Sequence, residues 1–229
     1  MNYSKKIVCL ADSRKPGGRC VAGKEVLQNG YGGWIRPVSA RPSAEINLEE
    51  RQFENGTEPQ ILDIIEIPML APVPRVHQTE NHMIDAESYW TRLGDLPWQR
   101  VTDLTDSPPS IWGNGDSTFH GRNDRMTQLA ASQFHDSLFL IQPGDVTVRV
   151  LVPGAAFGNP KRRVRAHFTY NDVHYDFMVT DPVAEGVFLA RPNGEYNIGD
   201  VYFCISLAEA HTDGYCYKLV ATIISEGAL

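Results

Sequence analysis

Three basic side chains near the start of the chain could hold a phosphate group. Arg14, Lys15 and Arg19 lie in a glycine-containing stretch directly after a predicted strand, where side chains and backbone amides can converge on one anion. The stretch matches neither Gly-x-x-x-x-Gly-Lys-Ser/Thr nor Gly-x-Gly-x-x-Gly, the glycine motifs of nucleotide-binding loops. A phosphate-binding loop and a solvated turn therefore both fit these residues.

Trp34 and Arg36 combine a flat aromatic ring with a guanidinium group on one predicted strand. Such a pair can stack a base on the ring while the cation holds the neighbouring phosphate. The alternative is that Trp34 belongs to the core, because large aromatic side chains supply much of a core's buried area. We retain both residues as candidate nucleic-acid-binding residues.

The densest run of positive charge begins at Lys161 and enters a predicted strand. Strand alternation places Arg163, Arg165 and His167 on one face, as a groove along a nucleic-acid backbone requires. The alternative is a charged edge strand that prevents pairing between sheets of different molecules. These three residues complete the predicted binding set.

A polar stretch, Ser117–Arg125, offers a different kind of chemistry. His120, Asn123 and Asp124 could form a pocket together with Glu80 and Asn81. General acid–base catalysis would need His120 within hydrogen-bond reach of a carboxylate. Hydrogen bonding between two domains would use the same residues, because buried polar groups in such loops must be satisfied.

Common signatures of catalysis and metal binding are missing from the sequence. It contains no Gly-x-Ser-x-Gly and no His-Glu-x-x-His, the motifs of serine hydrolases and zinc proteases. The seven histidines and four cysteines lack the close spacing of metal ligands. We therefore predict no catalytic residue, no metal and no cofactor.

Composition indicates a folded protein whose contacts with nucleic acid, if any, are local. Of 229 residues, 42% are hydrophobic and 21% are charged, and the net charge of −7 disfavours indiscriminate binding to phosphates. No apolar run approaches the roughly 20 residues that span a bilayer. The dispersed cysteines indicate reduced thiols, and we expect a cytoplasmic protein with no membrane contact.

The pattern of apolar residues predicts mainly β structure in three parts. Strand-like runs within residues 1–75 predict a first small barrel. Residues 76–135, rich in proline and tryptophan and with one predicted helix near residues 85–93, read as a partly helical connector that packs on both barrels. Residues 136–229 carry about five strands, the count of a five-stranded Greek-key barrel, and Asn171-Asp172 predicts a tight hairpin turn.

Several short motifs resemble prokaryotic proteins described as containing a dual OB domain. The resemblance covers nearly the whole chain and is carried by residues Cys9–Lys15, Gly18–Cys20, Gly33–Ser39, Gln78–Asn81 and Tyr215–Ala221. It implies two OB-like barrels in tandem and, by genomic association, a role in bacterial defence or conflict systems. It assigns no catalytic residue.

Three hypotheses follow for the function. The leading one is a non-enzymatic module that binds single-stranded or irregular nucleic acid. The alternative is a protein-interaction adaptor or antitoxin-like partner subunit, which accounts for the acidic balance of the chain. The third is an enzyme acting on a nucleotide or an ADP-ribose-like ligand, with His120 and Asp124 at its site.

Overall fold

Two sheets hold most of the residues that lie in regular secondary structure. The computed structural model describes residues 3–155, 158–227 and 229. The chain divides into two compact units, Met1–Thr105 and Asp106–Leu229. The prediction of a mainly β protein is therefore confirmed, with one sheet in each unit. No helix among the described residues is long and apolar enough to cross a membrane.

The first unit is built on one continuous cycle of strand pairings. Its strands are β1 (Tyr3–Lys15), β2 (Gly18–Leu27), β3 (Gly30–Val38), β4 (Asp63–Pro72), β5 (Asn81–Ile84) and β6 (Thr91–Asp95). The pairing order is β1-β2-β3-β5-β4, and β4 pairs again with β1. β3 and β5 run parallel, and the other pairs among the described strands of this unit are antiparallel. This is the order of a five-stranded barrel, with β6 added along β4.

Buried side chains of these strands and of the segments between them form an apolar core. Its members include Ile7, Val21, Ile35, Ile65 and Trp90. Gly23 lets β1 and β2 approach closely, because an added Cβ would lie 1.9 Å from the carbonyl oxygen of Val8. A short helix, α1 (Leu48–Arg51), begins at a capping box formed by Asn47 and Glu50, and a 3-10 helix spans Trp98–Leu104.

The helix predicted near residues 85–93 is wrong. Residues Thr91–Asp95 instead form β6, which pairs with Asp63–Glu66 of β4. A helix this short is marginal without tertiary support, whereas strand pairing satisfies the outer edge of β4. Of the residues predicted as a connector, 76–105 lie in the first unit and 106–135 in the second.

The second unit contains the larger sheet. Its strands are β7 (Arg125–Thr127), β8 (Leu138–Ile141), β9 (Gly144–Leu151), β10 (Arg163–Tyr170), β11 (Val173–Val179), β12 (Gly194–Asn197), β13 (Tyr202–Ala210) and β14 (Tyr215–Ile224). They pair in the order β12-β9-β10-β11-β14-β13-β8, with β7 on β14. The helices are α2 (Gln128–Ala131) and α3 (Pro182–Leu189), and Asp181 caps α3 by accepting from two of its backbone amides.

Both units share one pairing scheme, with a difference in the first strand. In the first unit, β1 pairs with both β2 and β4. In the second unit this strand is broken in two: β8 pairs with β13, and β9 pairs with β10. Gln142 and Pro143 separate the two pieces, and a proline that lacks an N–H favours such a break.

The predicted hairpin is confirmed. Asn171 and Asp172 join β10 to β11 with φ values of 47° and 61°, a left-handed conformation that these two residue types tolerate. Beside the turn, Phe168 packs against Tyr175, Phe177 and Phe203 with ring centroids 5.3–5.4 Å apart. The turn therefore sets the register of the aromatic core.

Candidate nucleic-acid interface

Trp34 lies on the outer face of β3 opposite a lysine of β2. Lys24 and Trp34 are register partners, and the Lys24 Nζ lies 5.7 Å from the centroid of the Trp34 ring. Because the neighbouring Ile35 points into the core, strand alternation directs Trp34 away from it. The ring is half-buried, so it offers a surface on which a base can stack.

The basic loop forms the tip of the β1–β2 hairpin. Arg14 and Arg19 are direct cross-strand partners, and Lys15 pairs with Gly18. Like charges placed directly opposite each other destabilise a sheet. Asp12 offsets part of this repulsion, with its carboxylate 3.8 Å from the Arg19 Nε. An anion at the tip would stabilise the arrangement further.

Arg36 follows Trp34 on the same face of β3 but is buried. Its guanidinium lies 3.1 Å from the Glu80 carboxylate, and its backbone N–H donates to the Glu80 carbonyl at 2.9 Å. Asn81 is its register partner on β5. The structure thus brings together Arg36, Glu80 and Asn81, whereas His120, Asn123 and Asp124 lie in the second unit.

Arg165 of β10 is enclosed rather than displayed. Its guanidinium donates to the carboxylates of Asp124 and Asp176 and to the Asp176 carbonyl. The predicted alternation holds, but residues on both sides supply carboxylates that cover this arginine. Arg163 and His167 are half-buried, and the His167 ring stacks on His174 with centroids 5.9 Å apart.

The polar stretch before β7 folds over the same ion pairs. Asp124 accepts hydrogen bonds from the backbone and the hydroxyl of Thr118 at 2.7 and 2.6 Å. Asn123 donates to the carbonyl of His174. The His120 ring packs edge-on against Phe119. With these partners, the Asp124 carboxylate anchors the loop.

Lys218 is a buried cation that the sequence reasoning missed. Its Nζ donates to the Gly113 carbonyl at 2.6 Å and lies about equally close to the rings of Tyr175 and Phe177. Burial, only partly offset by Asp124, lowers its pKa to about 8. The signal was present: Cys216, Lys218 and Val220 occupy alternate, inward positions of β14.

Positive charge is concentrated in the first three strands, another feature that the sequence reasoning missed. Residues 3–38 hold seven of the 21 Lys and Arg and only two of the 28 Asp and Glu. A count of charged residues by segment reveals this bias. The run from Lys161 to Arg165 is easier to see in the sequence because its charges are adjacent. Lys24 belongs to the positive segment and supports the Trp34 ring.

Comparison with known proteins places nearly the whole chain in one family model. A family model described as a dual OB-containing domain matches residues 5–223. None of the curated proteins matches. Among the residues with a described structure, no group of three or more His, Cys, Asp or Glu side chains is placed to hold a metal ion.

Proposed function

We propose, because the chain belongs to the family of dual OB-containing domains, that it is a non-enzymatic module that binds single-stranded nucleic acid through its first unit. The chain is an OB-fold protein, and OB folds bind oligonucleotides on strands 2 and 3 and on the loops between strands 1–2 and 4–5. In the first unit these are β2, β3, the Lys15–Gly18 turn and residues 73–80.

The charge distribution is the observation that carries this proposal. Nucleic-acid binding draws its energy from cations that neutralise phosphates. Residues 3–38 hold seven cationic and two acidic side chains in a chain with a net charge of −7. Five of these seven cations lie on β2, on β3 or at the end of β1 that forms the hairpin tip, namely Arg14, Lys15, Arg19, Lys24 and Arg36.

The proposed surface makes two types of contact with the nucleic acid. Arg14 and Arg19 at the hairpin tip supply a phosphate site, and Trp34 with Lys24 supplies a stacking site. Arg19 shares the face of the core residue Val21, whereas Lys24 lies on the opposite face of β2. The two sites therefore contact different parts of the bound nucleic acid. The losses of binding free energy caused by substitutions at the two sites should add.

Charge reversal tests the proposal. Fluorescence anisotropy with labelled single-stranded DNA, single-stranded RNA and duplex probes should show tighter binding to the single strands. We expect Arg14→Glu and Arg19→Glu each to weaken binding at least tenfold, since each removes one phosphate contact and adds a repelling charge. Lys161→Glu, an exposed position in the second unit, is the matched control and should bind like the native chain.

Arg163→Glu decides between the two units. Arg163 and His167 stay candidate contacts of the second unit, and a loss confined to this variant would move the interface there. Unchanged binding in Arg14→Glu and Arg19→Glu together would contradict the proposal for the first unit.

A protein-interaction role is the second candidate, and the second unit supports it. Residues 106–229 hold nine Lys and Arg against fourteen Asp and Glu, and Phe119 and Leu129 are 78% and 77% exposed. An acidic surface with exposed apolar side chains suits a basic protein partner. Affinity purification from the native host should then recover a stoichiometric protein that Phe119→Ser loses. A role in bacterial defence stays a prediction from the family resemblance.

A further inference from the structure

We propose that the Arg36–Glu80 pair reads a guanine base that stacks on Trp34. This inference rests on the proposed binding of single strands by the first unit and adds a base preference to it. Trp34 and Arg36 lie on the same face of β3, separated by one residue, which places them roughly 7 Å apart along the strand. A base on the ring can therefore present its edge to the pair.

The pair lies where β3 begins to pair with β5. The Arg36 guanidinium lies 3.1 Å from the Glu80 Oε1, and the backbone bond from Arg36 to Glu80 fixes the spacing of the two residues. The parallel pairing of β3 with β5 continues from this point. A guanidinium group and a carboxylate group thus lie side by side.

Guanine has the complementary edge. Its N7 and O6 accept, and its N1–H and exocyclic N2–H donate, in one continuous row. Arginine offers donors alone and a carboxylate offers acceptors alone, so the donors of Arg36 match N7 and O6 and the acceptors of Glu80 match the two N–H groups. Cytosine has one donor and two acceptors on its edge, one donor fewer than guanine. Single strands leave these edges free for recognition.

Asn81 provides an independent pointer to a ligand. It is fully buried, and its Oδ1 has no hydrogen-bond partner among the described residues. Buried acceptors without a partner are rare in folded proteins. The second hydrogen of the guanine exocyclic amine is a donor of the kind that this oxygen lacks, and Asn81 is the register partner of Arg36.

The turn before Glu80 must move for a base to reach the pair. The side chains of Arg36 and Glu80 are only 4% and 6% exposed. Arg75 and Gln78 close the turn with two backbone hydrogen bonds, and Val76 at its tip has a φ of 47° while being 61% exposed. A β-branched residue in this conformation is strained, and opening of the turn would relieve that strain.

Base-analogue probes on the full chain test the proposal. Four single-stranded DNA probes of one length differ at a central guanine, adenine, cytosine or thymine, and two further probes carry inosine, which lacks N2, or 7-deazaguanine, which lacks N7. We expect the guanine probe to bind about tenfold more tightly than the adenine and thymine probes. Inosine and 7-deazaguanine should each lose part of this preference.

Variants of the pair connect the preference to its residues. Glu80→Gln should bring the affinities for the guanine and thymine probes to about the same value, because the amide replaces one acceptor of the carboxylate with a donor. Arg36→Lys should remove the sensitivity to 7-deazaguanine. A merely structural pair would change the melting temperature without changing the ranking of the bases, and the analogue probes on the native chain decide the question even if a variant unfolds.

The outcomes separate the two proposals. Equal affinity for all six probes would overturn the guanine preference and leave the proposed function intact. Absence of binding to every probe would overturn the proposed function and, with it, the base preference.

Discussion

Trp34 is the residue whose loss should reveal stacking. Base–aromatic stacking contributes about 1–3 kcal/mol per base, so we predict that Trp34→Ala weakens single-strand binding by about 5- to 150-fold, measured by anisotropy. Tyr89→Ala, which removes an exposed aromatic ring elsewhere in the first unit, is the control and should keep full affinity. Equal losses in the two variants would point to a general effect on the fold.

Arg165 should matter for stability rather than for binding. It donates to Asp124 and Asp176 in a buried network, and removal of one partner leaves charge uncompensated in the interior. We predict that Arg165→Ala lowers the free energy of unfolding by about 3–5 kcal/mol in urea denaturation. Arg163→Ala, two residues away on β10 and half-buried, should lower the free energy of unfolding by well under half of this amount. If Arg165→Ala lowered the free energy of unfolding no more than Arg163→Ala, the buried network would contribute little to stability.

Lys218 gives the second unit a specific pH dependence. Its pKa falls to about 8 in the folded chain, from 10.5 in a free side chain, because burial disfavours the charged amine. Between pH 8 and pH 10.5 the unfolded chain binds more protons than the folded chain, so the free energy of unfolding rises with pH. Below pH 8 the buried charge of Lys218 destabilises the folded chain in full.

Lys218→Met isolates this contribution. Relative to the variant, the native chain should gain up to about 3 kcal/mol in the free energy of unfolding between pH 8 and pH 10.5, measured by denaturation across this range. Tyrosines and cysteines titrate in both proteins and cancel in the difference. Parallel stability curves would show that the pKa of Lys218 is the same in the folded and unfolded chains.

At the scale of the element, the loop before β7 depends on one glycine. An added Cβ at Gly121 would lie 1.8 Å from the Asp124 carboxylate, so Gly121→Ala must displace the loop from its anchor. We predict a loss of about 2–4 kcal/mol in unfolding free energy, similar to other disruptions of buried networks. Gly186→Ala in α3 has open space and should instead stabilise by about 0.5–1 kcal/mol. A neutral Gly121→Ala would show that the anchor is dispensable.

Elements with local signals could be predicted from the sequence, and those set by distant partners could not. The Asn171-Asp172 hairpin is specified by its own turn residues. By contrast, β6 forms because β4 offers an edge, which no local pattern encodes. The same limit applies to the candidate site: alternation places Arg36 beside Trp34, but only the parallel pairing of β3 with β5 brings Glu80 to it.

At the scale of the whole molecule, binding must work against an acidic chain. The net charge of −7 repels nucleic acid at low salt, while residues 3–38 attract it. If Arg14, Lys15 and Arg19 each neutralise one phosphate, the logarithm of the affinity for single-stranded DNA should fall with the logarithm of salt concentration with a slope of about −2. Titrations between 50 and 300 mM salt would measure it, and a slope near zero would contradict phosphate contacts.

The broken first strand gives the two units different ways to open. In the first unit, β1 is one backbone that belongs to two pairings at once, so fraying of its partner β4 is resisted by the hairpin with β2. In the second unit, β8 can detach from β13 while β9 stays paired with β10, because Pro143 already interrupts the ladder. The amide hydrogens of β1 should therefore exchange with solvent as one cooperative group, and those of β8 and β9 as two.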